Sequence, residues 1–314
     1  TLYQDAYGLM NLAGHLLILR VGLLEASESP LLGPQIIDGV ADAVHLALHD
    51  LFVEKGETGS EDDKQRLREI LEEMARDTEL EERPTNLGEW TSTLERLHAL
   101  SESAERLMSG IAGADAEAAA ADAVHAPSSA MERIRASVAD VSSSVTEALA
   151  TLARCAPWAS LTTTMPGVLA EDPRTTTLLP VLEMVPSLVG LAEGLDGVLD
   201  ALSDIESHPS GTGAEAARVS KWALDTRTGI LDSRPACVHI LARLSDDADM
   251  AREMWEHTDF SMLFDEQRLL FSIGYNTTEG RLDASFYDML ASECRLASFL
   301  AIAKGDVPQE HWFR

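Results

Sequence analysis

An all-α fold, a multi-helix array or partial (α/α) toroid with one small β-hairpin near residues 262–275, is what this sequence predicts. Three observations carry that expectation. Aromatic residues make up only 5% of a chain that is 45% hydrophobic, and alanine and leucine dominate, which favours helix over sheet. Apolar residues recur at three- and four-residue steps over most of the length. One short run, RLLFSIGYNTTEGRLDASFYDML at 268–290, breaks the pattern by crowding aromatics, glycines and charged groups together.

The elements follow in order. Residues 9–25 place Leu12, Leu16, Leu19 and Leu23 on one helical face, and Ser29, Pro30, Gly33 and Pro34 end that helix. Residues 35–53 resume with Ile36, Ile37, Val40, Val44, Leu48 and Leu51. KGETGSEDD at 55–63 is a polar loop in which Ser60 caps a charged helix reaching about Arg83. Pro84, Thr85 and Asn86 open another helix over 87–110, carrying Leu94, Leu97, Leu100 and Leu107. Residues 111–123, IAGADAEAAAADA, are low in complexity and fit either a helix or a linker. A helix over 128–156 follows, then a Pro- and Gly-interrupted crossing over 157–180. Helices are expected at 181–206, 213–229, 235–244 and 246–257, with SHPSGTG at 207–213 as a loop.

In the C-terminal part, Phe264 faces Leu269, Phe271 and Ile273 across an Asp265–Arg268 turn, which makes the hairpin. Asn276 to Gly280 is a second turn in which Gly280 accepts positive φ at little cost. Asp283 and Ser285 are placed to cap a helix carrying Phe286, Leu290, Leu296, Phe299 and Leu300, which Gly305 and Pro308 terminate. The domain reading is a helical region over 1–255 and a hairpin-plus-helix region over 256–314.

Charge and cysteines exclude several classes. The formal net charge is −29, so phosphate backbones and anionic lipid surfaces are repelled and nucleic acid is not an expected partner. A neutral ligand such as a sugar stays compatible. Cys155, Cys237 and Cys294 are odd in number, far apart and without a CxxC pattern, which points to plain thiols. No stretch of about 18 apolar residues is present, so no direct membrane insertion is expected. No signal peptide is evident, and a start at Thr1 with an end at Arg314 suggests a piece of something longer.

His45 and His49 lie four apart beside Asp50, the spacing of a two-histidine metal face. A third ligand is missing, and glutamate does not stand at the HExxH position, so packed or surface histidines are preferred and neither metal nor cofactor is expected. With 53 acidic residues, carboxylate spacing alone selects no catalytic pair.

Phe264-Asp265-Glu266-Gln267-Arg268, FSIGYN at 271–276 and the run from Gly280 to HWFR at 311–314 resemble a signature block of the cyclic β-1,2-glucan synthases. A shorter likeness is NLAGHL at 11–16, preceded here by Leu9-Met10 where the family usually has Ser-Gly. The resemblance implies a start of the glycoamylase-like, cyclising transglycosylase region of a bacterial inner-membrane protein. That parent combines glycosyltransferase and phosphorylase-like modules, with the catalytic carboxylates beyond HWFR. On that reading no catalytic residue is assigned. Arg281, Asp283, Tyr287, Asp288, Glu293, His311 and Trp312 are the candidate sugar contacts, because they can hydrogen-bond hydroxyls or stack on pyranose rings. The expected partners are β-1,2-glucan and other modules of the same polypeptide, in the cytoplasm as part of an inner-membrane protein. The alternative is a non-catalytic helical spacer or docking domain that positions neighbouring enzyme modules.

Overall fold

The computed structural model describes residues 3–53, 60–79, 83–118, 130–287 and 292–314. It is an all-α array with small antiparallel strand pairs, as the composition predicts. The chain divides into two compact units, residues 29–239 and residues 1–28 together with 240–314. This division differs from a boundary at residue 255, because the first 28 residues group with the C-terminal block.

In the first of these units, α2 (Pro34–Val53), α3 (Glu61–Thr78), α4 (Leu87–Ala118) and α5 (Ala130–Cys155) form a ring of neighbours, α2 touching α3 and α5, and α4 touching α3 and α5. Each helix turns one apolar stripe inward, and Val44, Leu71, Leu97 and Val141 are all buried there. Burial of such side chains is worth about 1.5–3 kcal/mol each, which holds the bundle together. Asp50 and Arg133 join α2 to α5 through paired hydrogen bonds of 3.0 and 3.1 Å. Local sequence explains the starts. The Ser60 side chain accepts the Asp63 N–H, capping α3 as expected. Before α4, the Asn86 side chain accepts the Glu89 N–H while Glu89 reaches back to the Thr85 N–H at 2.8 Å, a reciprocal cap.

Beyond the bundle come α6 (Ala159–Thr162), a 3-10 turn over Gly167–Glu171, α7 (Thr175–Glu183), α8 (Leu188–Glu193) and α9 (Asp196–Ser207). The single helix expected over 181–206 is therefore three pieces. Pro186 and Gly194 interrupt it, and the intervening backbone pairs instead with other segments, Asn86 with Met184 and Pro30 with Ser187. The opposite correction holds for α10 (Ala214–His257), one 44-residue helix where three were expected. Pro235 lacks an N–H to donate, yet burial of Ile230 and Cys237 on either side keeps the helix going.

In the other unit, β1 (Tyr3–Asp5) leads into α1 (Ala6–Glu28). The last turns of α10 are followed by β2 (Phe264–Asp265), β3 (Leu270–Phe271), β4 (Gly274–Asn276) and β5 (Arg281–Leu282), then α11 (Ser292–Lys304) and a 3-10 turn over Gln309–Phe313. β2 pairs antiparallel with β3, with Phe264 opposite Phe271, which is the expected hairpin. β4 stands between β1 and β5 in a second antiparallel sheet that the sequence reading did not contain. Ala13, Phe260, Leu263, Phe264, Phe271, Ala297, Ala301 and Val307 form the core of this unit. Gly305, at φ +88, closes α11 with the Asp306 N–H donating to the Ala301 carbonyl and the Gly305 N–H to Ile302.

Residues 283–287 are not the start of a helix. The Ile273 N–H donates to the Ser285 carbonyl, the Tyr287 N–H to Phe271, and Phe286 bridges to Ser272. Pairing with the hairpin outweighs the capping preference of Asp283 and Ser285. The position of Leu290 lies outside the described residues.

Candidate functional site

The polar corner of this unit grows from two turns. In the first, Oδ1 of Asp265 accepts the N–H groups of Gln267 and Arg268, both at 2.9 Å, and ties the chain into a loop. Leu269 completes the loop at φ 54, in the left-handed region that a non-glycine residue occupies at a cost. In the second turn, Oδ1 of Asn276 accepts from Thr278 and Glu279, and Gly280 follows at φ +66 as its sequence position predicts.

His311 holds the strained loop in place. Its Nδ1 lies 2.7 Å from the Leu269 carbonyl oxygen, which only accepts, so the proton sits on Nδ1. Nε2 then accepts from the Ser298 hydroxyl at 2.7 Å. Phe264 and Phe271 meet the ring edge-on, with centroids 5.4 and 4.9 Å away. Burial pushes the imidazole pKa below its usual value, opposed by the Leu269 carbonyl, so the ring is held neutral. With both nitrogens engaged and the residue 2% exposed, His311 faces the fold interior and offers a sugar no surface.

The other predicted contacts are placed differently. Arg281 is exposed on β5 and pairs with Glu279 at 2.6 Å. Asp283 leaves β5 directly afterwards, and its Oδ1 accepts the Ser285 N–H at 3.0 Å in a tight turn. Buried Ser272 braces that turn, its hydroxyl lying 2.9 Å from the Gly274 carbonyl and 3.0 Å from that of Asp283. Tyr287 is half-buried against the core. Trp312 is 41% exposed. Asp288 lies outside the described residues, and so does the side chain of Glu293, whose backbone belongs to α11. Arg281 and Asp283 thus share one strand end, while Tyr287 and His311 serve packing.

Sequence reading missed two parts of the corner. The Arg268 guanidinium lies 4.4 Å from the Phe286 ring centroid, a cation–π contact between turn and returning strand. Ser298 on α11 is the second, through its hydroxyl's hydrogen bond to His311. Its signal was faint, since a serine on an apolar face is informative only once a histidine is known to oppose it. NLAGHL also acquires a structural role: a Cβ added to Gly14 would stand 3.1 Å from Leu296 Cδ2, so the missing side chain lets α1 lie close on α11.

Arg281 and Asp283 offer charged hydrogen-bonding groups at one strand end, and Trp312 is exposed in the 3-10 turn of the same unit, residue types suited to polyhydroxylated ligands. No protein-family model matches the chain. One curated protein supplies a likeness. Over 66 residues the chain is 52% identical to the cyclic β-(1,2)-glucan synthase NdvB of Rhizobium meliloti (strain 1021). The match covers 21% of this chain and 2% of NdvB, so it relates a short block to a far longer protein. Among the described residues no helix is long and apolar enough to cross a membrane.

Proposed function

We propose that this chain is part of a β-1,2-glucan-handling protein related to the cyclic glucan synthases, supplying helical scaffold and, at its C-terminal corner, sugar contacts. The observation that carries the reading is the 52% identity over 66 residues to NdvB. Arg281 and Asp283 supply the hydrogen bonds, and exposed Trp312 supplies the apolar face. The parent activity is glycosyl transfer with cyclising transglycosylation in a glycoamylase-like region, in a bacterial inner-membrane protein whose cytoplasmic side holds this chain. Other modules of that polypeptide are its neighbours.

A second reading, that residues 29–239 serve only to space such modules, is supported by the ring of α2 to α5, a bundle whose apolar stripes satisfy one another. Titrating linear β-1,2-glucan oligomers while following tryptophan fluorescence separates the two. Saturable change that Arg281→Ala and Trp312→Ala both weaken supports glucan contact. A flat titration, with no heat of binding by calorimetry, leaves only the spacer.

A further inference from the structure

The unit spanning residues 29–239 carries a groove of about 770 Å³, within the size range of small-ligand sites, where the start of α4 meets the end of α6. Its walls are hydroxyl- and amide-rich: Thr85, Asn86, Ser92, Thr93, Thr162 and Thr163 all face it. Gly88 makes the junction possible, since an added Cβ would stand 3.0 Å from Thr163 Cγ2.

Two features give the groove a chemistry. The first is charge. Arg83 and Arg96 are matched by Glu89 and Glu183 along the lining, and the arginines are further paired with Asp38 at 2.6 Å and Asp77 at 3.5 Å. The groove therefore has no excess positive charge to hold an anion. At the helix start the Asn86 side chain occupies the Glu89 N–H, and the Glu89 carboxylate, bonded to the Thr85 N–H, sets a fixed negative charge there that opposes an anion.

The second feature is Thr93. Its residue is only 5% exposed, it lines the groove, and its hydroxyl, which makes no hydrogen bond to another described residue, is open to the groove and not sealed inside the protein. A hydroxyl that opens onto the groove can exchange water for a ligand hydroxyl, keeping its hydrogen bond. Thr162 and Thr163 donate to the carbonyls of Ala159 and Ser160, at 2.7 and 2.9 Å, which leaves their oxygens free to accept.

We propose that this groove is a binding site for a neutral oligosaccharide segment, with the Thr93 hydroxyl at its floor making a direct hydrogen bond to a sugar hydroxyl. Taking the sugar to be β-1,2-glucan rests on the function proposed above. The site is separate from the C-terminal corner and would hold a second stretch of the same polymer.

Calorimetric titration of the 314-residue chain with linear β-1,2-glucan oligomers tests this, using an Arg281→Ala/Trp312→Ala background that disables the corner. Binding is expected to persist there. Thr93→Val should weaken it roughly three- to tenfold, the worth of one neutral hydrogen bond, with an unchanged or higher melting temperature. Ser92→Trp, on an exposed helical position, should fill the groove and abolish binding. Unchanged affinity in Thr93→Val and Ser92→Trp overturns the proposal. Loss of all binding in the corner background alone also overturns it while leaving the proposed function intact. A wild-type chain that binds no glucan removes both. Displacement of glucan by inorganic phosphate would overturn the assignment of a neutral ligand.

Discussion

The Ser298 hydroxyl donates a 2.7 Å hydrogen bond to Nε2 of His311, and both residues are buried. Through Nδ1 the same ring holds the Leu269 carbonyl, so one neutral histidine joins α11, the C-terminal 3-10 turn and the first hairpin. Because burial keeps its pKa below the ordinary 6.5, the unfolded chain takes up this proton before the folded one does. The stabilisation is therefore present above about pH 6.5 and lost as pH falls below it. Melting temperatures of the wild type and of His311→Gln, measured between about pH 5 and pH 7.5, should converge toward the acid end. Parallel curves would show that His311 does not titrate in this way.

Gly14 predicts a steric experiment. Alanine there gains helix propensity, and flexible Leu296 can give by a few tenths of an ångström, so Gly14→Ala should change stability by less than about 1 kcal/mol. Valine adds two methyls against Leu296 and Leu300 and should cost about 1–3 kcal/mol. Adding Leu296→Ala should return part of that loss, the coupling expected of touching residues. Chemical denaturation of wild type, Gly14→Ala, Gly14→Val, Leu296→Ala and the double variant checks it, and strict additivity of Gly14→Val with Leu296→Ala would rule the contact out.

What the sequence made legible was what depends on neighbours along the chain. The caps at Ser60 and Asn86, the Gly280 turn, the Gly305 stop and the Phe264–Phe271 hairpin all rest on a few consecutive residues. What it hid depends on partners far away. Three-residue β1 is too short to show a period of two, and only pairing with β4 makes it a strand. Pro235 reads as a stop until the buried turns around it are known. Asp283 reads as a helix cap because the pairing of Phe286 with Ser272 has no local signature. At the candidate site, residue types were readable while orientation was not, which is why His311 turned inward and Thr93 went unnoticed.

A further prediction concerns Asp172 and Arg174. The guanidinium donates to both Asp172 oxygens, with Nη2 at 2.7 Å, and also reaches Asp204 at 3.0 Å and the His208 carbonyl at 3.0 Å. Ser210 donates to the same Asp172 carboxylate, tying the entry of α7 to the loop after α9. The Arg174 and Ser210 hydrogen bonds hold the Asp172 pKa well below the usual carboxylate range. Its contribution is thus present above about pH 4 and lost as pH falls further. Asp172→Asn should cost about 2 kcal/mol at neutral pH, below the figure for a fully buried pair because Arg174 keeps some contact with water. The gap to wild type should narrow in acid. A gap that stays constant with pH would assign the loss to geometry instead of charge.

Asp283 gives the prediction that bears most directly on function. Its Oδ1 accepts the Ser285 N–H, a bond that an asparagine side chain makes equally well, and its backbone N–H donates to the Gly274 carbonyl at 2.9 Å. Asp283→Asn should therefore leave the turn, the neighbouring Arg281 strand and the melting temperature close to wild type, within about 0.5 kcal/mol. The charge is another matter. A carboxylate that accepts a sugar hydroxyl makes a charge-assisted bond roughly twice as strong as the neutral amide can offer. If the corner contacts glucan, the same substitution should weaken glucan binding by the chain about tenfold, and should depress transglycosylation in a full-length protein carrying it. Melting and binding measured on the same preparation separate these roles. Equal stability with weaker binding places the carboxylate on the sugar, whereas equal stability with equal binding leaves Asp283 as the residue that turns β5 back toward Ser285 and removes it from the site.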